Sequence, residues 1–174
     1  DKSVFVSTGG MEFDKEKSTI LLMHGSGLTH IVWSFHEQFY STQGFNVLSV
    51  DLPGHGNSEG PSLKSIEEIS DWIKSLMDKL SIKKIIIIGH SQGSLVGIDF
   101  AARYPESILS LVLVAGSYKM PVNQDLINYA EAGDEITNEF IELFKSNNLS
   151  ILKVLSVDNS SVGPWMRNTL ALDK

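Results

Sequence analysis

Residues 85–94 read IIIIGHSQGS, an apolar run that ends in a glycine-flanked serine. Glycines two before and two after Ser91, at 89 and 93, let a chain turn very tightly without side-chain collisions. A strand entering and a helix leaving such a turn would hold Ser91 at the apex in a strained backbone conformation. Its hydroxyl would then project above the C-terminal end of the strand, where open α/β sheets bind ligands. The helix N-terminus behind it would offer free N–H groups and a positive dipole end. The chemistry expected of such a serine is nucleophilic attack on an acyl group.

Acyl transfer needs two N–H donors for the oxyanion of the tetrahedral intermediate. The backbone N–H of Gln92, just after the serine, is one candidate. The segment MHGSG at 23–27 supplies the other, with Ser26 N–H the first choice and Gly27 the next. His24 in that segment is expected to pack locally. A third segment, DLPGHGNSEG at 51–60, has a proline and three glycines, which force a compact turn after a strand. His55 within it is read as structural rather than as a base.

A serine hydroxyl is a poor nucleophile near neutral pH without a general base. The chain has five histidines, His24, His30, His36, His55 and His90, and all precede Ser91. His90 adjoins the serine, but consecutive residues at a sharp bend point in different directions. His24 could only donate or pack. The 174 residues taken by themselves are therefore expected to be nearly inactive.

These segments need elements to position them. Apolar runs at 18–25, 45–51, 83–89 and 108–116 suit strands buried on both faces, as in a parallel sheet, and VFVST at 4–8 suits a short edge strand. Residues 65–80 place Ile66, Ile69, Ile73, Leu76, Met77 and Leu80 on one helical face, with Ser65 and Glu68 forming a capping-box signature. A second helix is predicted from about Gln92 to Tyr104, stopped by Pro105, with Gly93, Gly97 and Ala101 on one face to let it lie close to the sheet. A third is predicted over 32–43, ended by Gly44. Alternation of this kind predicts an α/β fold with a mostly parallel sheet flanked by helices. After Ser117 the rhythm breaks into helical patterns without a further strand.

Composition narrows the partners. With 42% hydrophobic and 20% charged residues the chain is of ordinary globular type. A net charge of −7 with no basic cluster predicts no nucleic-acid partner. The lack of cysteine excludes disulfides and thiolate metal sites, and with no apolar leader in DKSVFVSTGG it fits a cytoplasmic location. No apolar stretch approaches the roughly 18 residues of a membrane span, so no membrane partner is expected.

Together His24-Gly25-Ser26-Gly27, the loop Asp51-Leu52-Pro53-Gly54-His55-Gly56-Asn57-Ser58, and Gly89-His90-Ser91-Gln92-Gly93 resemble the α/β-hydrolase superfamily in order and spacing. The chain looks like its small capped esterases and C–C bond hydrolases. The resemblance covers residues 4 to about 116 and implies a hydrolase core over 1–116. Residues 117–174 are similar to the family's helical cap. It implies Ser91 as nucleophile, Ser26 and Gln92 as oxyanion-hole donors, no cofactor and no metal. It also implies a small-molecule acyl substrate in a pocket that includes Gly27, His90 and Trp165, the last of these with Met166 as an apolar roof.

The family's triad runs Ser, acid, His, and here the sequence departs from it, because no histidine follows Ser91. The core is expected to lack its C-terminal strands, and the chain is read as a fragment. The run ILSLVLV would then be an exposed apolar edge. The lack of a base leaves a binding protein without turnover as one alternative, and that edge leaves a homodimer formed through it as another.

Overall fold

The computed structural model describes residues 2–116, which lie within one compact unit, Asp1–Lys119. The expected cap over 117–174, with Trp165 and Met166, lies outside the described residues. Five strands run β1 (Val6–Ser7), β2 (Thr19–Met23), β3 (Asn46–Val50), β4 (Ile85–His90) and β5 (Ile108–Val114). Three helices connect them: α1 (Ser34–Thr42), α2 (Ile66–Lys79) and α3 (Gln92–Arg103). The sheet order is β1-β3-β2-β4-β5, parallel throughout except for β1, which pairs antiparallel with β3.

The continuous apolar runs become the inner strands for the reason their pattern suggests. Every residue of β2 and of β3 is buried. Successive side chains alternate between the faces of a strand. On one face Leu21, Met23, Leu48, Val50, Ile85 and Ile87 pack with Ile69, Ile73 and Met77 of α2 and with Val96 and Phe100 of α3. On the other, Ile20, Leu22, Val47 and Ile88 are buried as well. Each such side chain contributes about 1.5–3 kcal/mol by leaving water.

Helix ends follow local chemistry. Ser65 Oγ accepts from Glu68 N–H at 3.2 Å, as the capping signature predicts. The returning bond is one residue wide of that pattern, because Glu68 Oε2 accepts from Lys64 N–H at 2.7 Å. Helix α1 closes with Gly44 at φ +87, where Phe45 N–H reaches Tyr40 O and Gly44 N–H reaches Ser41 O. The predicted helix over 32–43 opens instead as a short 3-10 turn, His30–Trp33, before α1 begins. Its first N–H, that of His30, is taken by the Asp51 carboxylate across the sheet. Small residues do bring α3 onto the sheet: a Cβ on Gly93 would lie 2.7 Å from Met23 O, and one on Gly97 2.6 Å from Leu111 Cδ1.

Topology defines where a site can lie. The chain leaves β2 through α1 toward β3, but leaves β4 through α3 toward β5 on the other side. Adjacent strands β2 and β4 therefore send their following segments apart, which opens a crevice above their C-terminal ends. Among the described residues β5 pairs with β4 alone and exposes Leu109, Val112 and Leu113. Among them, too, no helix is long and apolar enough to cross a membrane.

Candidate active site

Ser91 sits at that crevice, between β4 and α3, with φ 53 and ψ −116. This is a conformation that side-chain-bearing residues rarely adopt and that costs about 1–3 kcal/mol unless its surroundings enforce it. The surroundings are specific. Ser91 N–H donates to Val114 O at 2.9 Å, which ties the bend to β5. The buried Ser94 hydroxyl donates to Gly89 O at 2.7 Å and lies 3.2 Å from Val114 O, stapling the two arms of the turn. A Cβ on Gly89 would lie 2.1 Å from Gly93 O, so no larger residue fits inside the bend. Ser91 occupies the N-cap position of α3, yet its side chain makes no capping bond. Gln92 is the first residue of α3, so its N–H has no partner within the helix.

The segment after β2 meets the bend directly. A Cβ on Gly25 would lie 3.0 Å from Ser91 Cβ and 3.0 Å from His90 Nδ1, so the bare backbone of Gly25 is pressed against the elbow. Leu28 N–H bonds back to Gly25 O at 3.2 Å, and Gly27 has φ +69, the positive value a type II turn requires at its third position. Ser26 and Gly27, at the tip, are exposed. Ser26, Gly27, His90, Ser91 and Gln92 are thus brought to one end of the sheet. Trp165 lies outside the described residues.

His24 is fully buried and more than local packing. Its Nε2 accepts from Leu52 N–H at 3.1 Å, and its Nδ1 lies 2.8 Å from Gly25 O. An acceptor at Nε2 requires the proton on Nδ1, so the ring is neutral and donates to Gly25 O. Burial lowers its pKa, against the opposing pull of the Gly25 bond. Burial likewise lowers that of His90. His55 faces the His24 ring, centroids 5.2 Å apart, and its Nδ1 lies 3.1 Å from Pro53 O, in keeping with the structural reading of that residue.

Asp51 is the residue that sequence reasoning missed. It is fully buried at the end of β3. One carboxylate oxygen accepts from His30 N–H at 2.7 Å and lies 2.8 Å from His30 Nδ1, while the other accepts from Asn57 N–H at 2.9 Å. Burial pushes its pKa up, but the Asn57 and His30 donors outweigh that and hold it below the usual carboxylate value. A Cβ on Gly56 would lie 2.3 Å from the carboxylate, so the loop closes around it. The signal was present in the sequence: an acid at a strand's C-terminal end, followed at once by a Pro-Gly turn. Asp51 organises the loop rather than facing the crevice, and Leu52, Pro53, His55, Leu63, Ile69 and Gln92 line a recess of about 20 Å³ beside it.

Comparison with known proteins bears on family and fold. The chain belongs to the alpha/beta hydrolase fold family, whose model matches residues 18–152. Its relatives place it in a hydrolase lineage. It is 34% identical over 107 residues to a 2-hydroxy-6-oxononadienedioate/2-hydroxy-6-oxononatrienedioate hydrolase of Paraburkholderia phymatum, covering 58% of this chain and 36% of that protein. It is 27% identical over 120 residues to an (E)-2-((N-methylformamido)methylene)succinate hydrolase of Acinetobacter baylyi, covering 67% of this chain and 45% of that one. A carboxylesterase structure from Nitrososphaera gargenis superposes with a TM-score of 0.69 at 20% identity, covering 97% of this chain and 62% of the other, a likeness of fold. The chain thus spans about a quarter to under half of the length of the curated relatives it matches.

Proposed function

We propose that this chain is the nucleophile-bearing part of a serine hydrolase acting on carboxylic esters or related acyl substrates. Ser91 Oγ attacks the substrate carbonyl carbon and gives up its proton to a general base. The Ser26 and Gln92 amides receive the oxyanion that forms. The intermediate collapses, the leaving group departs with a proton, and the acyl group stays on Ser91. Water then attacks the acyl-serine, releases the acid and restores the hydroxyl.

The observation that carries this reading is Ser91 itself, held at φ 53 and ψ −116 against the backbone of Gly25. Strain enforced at a serine whose hydroxyl caps nothing supports chemistry over turn-making. His90 and Gly27 belong to the same proposed pocket.

All five histidines precede Ser91. His24 is committed to Gly25 and Leu52, and His55 lies beside Pro53 O. The base and acid are therefore assigned to sequence beyond this chain, in keeping with the greater length of its relatives. The chain alone is expected to turn over substrate at residual levels. Incubating the full protein with a fluorophosphonate probe should label Ser91 covalently, and Ser91→Ala should abolish the label. Equal labelling of both proteins, or none of either, overturns the assignment.

A second reading keeps the pocket without turnover. It predicts saturable binding of a small acyl or aromatic ligand that survives Ser91→Ala. Dimerisation through the β5 edge is its structural variant. There Leu113→Lys should weaken a dimer seen by sedimentation.

A further inference from the structure

Between the bend after β4 and helix α2 lies the recess of about 20 Å³. Its walls are Leu52, Pro53 and His55 of the loop after β3, Leu63, Ile69 of α2, and Gln92 at the start of α3. That volume admits one group the size of a water molecule. Leu52 and Ile69 are buried in the main core cluster, so the walls they form are fixed by packing. Gln92 joins the recess to the reaction centre, because its backbone N–H is the proposed oxyanion donor.

The lining dictates what fits. None of the six residues carries a carboxylate, an ammonium or a guanidinium, so a charged group would enter without a counter-charge. A wholly apolar group would leave His55 and Gln92 unmatched. His55 Nδ1 lies 3.1 Å from Pro53 O. A carbonyl oxygen only accepts, so that nitrogen carries a proton, and in the neutral ring the remaining nitrogen, Nε2, is an acceptor. The Gln92 side-chain amide has both donors and an acceptor. A hydroxyl matches this pair, since it donates to the ring nitrogen and accepts from the amide. Leu52, Leu63 and Ile69 suit the apolar stem that carries it.

We propose that this recess is a hydroxyl-recognition subsite, in which His55 Nε2 and the Gln92 amide select substrates bearing an uncharged hydroxyl a few bonds from the scissile carbonyl. This deepens the reading of Ser91 as nucleophile and rests on it. His55 contacts the tail of the substrate and takes no proton from Ser91. Either the acyl part or the alcohol part can carry the hydroxyl, and the test has an arm for each.

Paired substrates are compared on the full protein. In one arm, p-nitrophenyl esters of ω-hydroxy acids of increasing length are set against esters with a methyl in place of the hydroxyl. In the other, ω-hydroxyalkyl acetates are set against the matching alkyl acetates. In one arm, at one chain length, kcat/KM should favour the hydroxyl member roughly tenfold, as a single neutral hydrogen bond does. His55→Asn keeps a donor in reach of Pro53 O but has no atom at the place of Nε2. It should bring the ratio to about one, whatever it does to the absolute rates. A role in loop structure alone would lower both members together and leave the ratio as it was. Leu63→Phe, which fills the recess from its apolar wall, should remove the preference as well.

No preference in either arm overturns the proposal and leaves the recess to water alone. A preference that persists in both variants overturns it too, because the hydroxyl is then read elsewhere. If neither variant folds, the parent labelled at Ser91 with a hydroxyalkyl or an alkyl phosphonate decides. Only the hydroxyl adduct should move the His55 Nε2 ¹⁵N resonance, and equal spectra overturn the subsite. Failure of the hydrolase reading is distinguishable, since the parent would then show neither Ser91-dependent turnover nor fluorophosphonate labelling.

Discussion

Strands β2 and β5 are both apolar runs, TILLM and ILSLVLV, yet they end in different environments. Ile20, Leu21, Leu22 and Met23 are 0–2% exposed, with a strand on each side and packed side chains on both faces. Leu109, Val112 and Leu113 are 51%, 43% and 43% exposed, with β4 the one neighbour of β5 among the described residues. The two runs teach that an apolar pattern states what a strand needs, while its place in the sheet decides what it receives. The same contrast divides the rigid end of the sheet from its margin. The buried polar groups His24 and Asp51 lock the loops after β2 and β3 to one another, while Ser94 ties the bend after β4 to Gly89 and to the end of β5, where Ser91 is also bonded.

The largest test of the contrast is truncation. Leu21→Ala should cost about 4 kcal/mol of unfolding free energy, as large-to-small changes at well-packed sites do. Leu113→Ala should cost less than about 0.5 kcal/mol if the exposed strand is as lightly held as it looks. Denaturant titration of both variants measures the gap, and equal losses would erase the distinction.

Next comes the bend. Gly89→Ala forces a Cβ to within 2.1 Å of Gly93 O, which is backbone and cannot step aside. A loss of about 3 kcal/mol is expected, the upper end of overpacking costs. Asp51→Asn should cost about 2 kcal/mol, because an amide cannot accept from His30 and Asn57 on both of its ends. Hydrogen exchange at Asn57 should rise with it.

Ser91→Gly should act in the opposite direction. Glycine takes φ 53 without strain, so this variant should gain about 1 kcal/mol while losing probe labelling. Ser91→Ala keeps the strain and should show no gain. Finer still is the dependence on pH. His24, His36 and His90 have pKa values lowered mainly by burial. The unfolded chain takes up these protons near pH 6.5, ahead of the folded one, so stability should decline as pH falls through that value toward the lowered ones. Asp51 acts in the same direction in a more acidic window: its lowered pKa contributes stability that is present above the unfolded value near 3.8 and is lost as pH falls through that value toward the lowered one. Thermal melts from pH 7.5 to 5 check the histidine effect, and His24→Asn should reduce it, leaving the share of His36 and His90.

Much of this was legible from residue types. Periodicity located β2, β3, β4, α2 and α3 closely, because each buries a regular face. The Gly-His-Ser-Gln-Gly segment announced its bend, since few other contexts need two glycines so spaced. The contacts that make the site rigid were not legible. Asp51 meets His30 from 21 residues away, and His24 meets Leu52 from 28. No local pattern encodes a hydrogen bond across a sheet. The bond from His30 N–H at the 3-10 opening before α1 to Asp51 was hidden for the same reason.

The sheet order also shapes how the chain comes together. Strand β2 is made early, but it lies between β3 and β4, and its pairing with β4 joins Thr19 to Ile85. During synthesis one flank of β2 stays bare until residues 85–90 have left the ribosome. A stall between those points leaves a strand that is fully buried in the folded protein exposed on one flank, an interval in which a holding chaperone would matter.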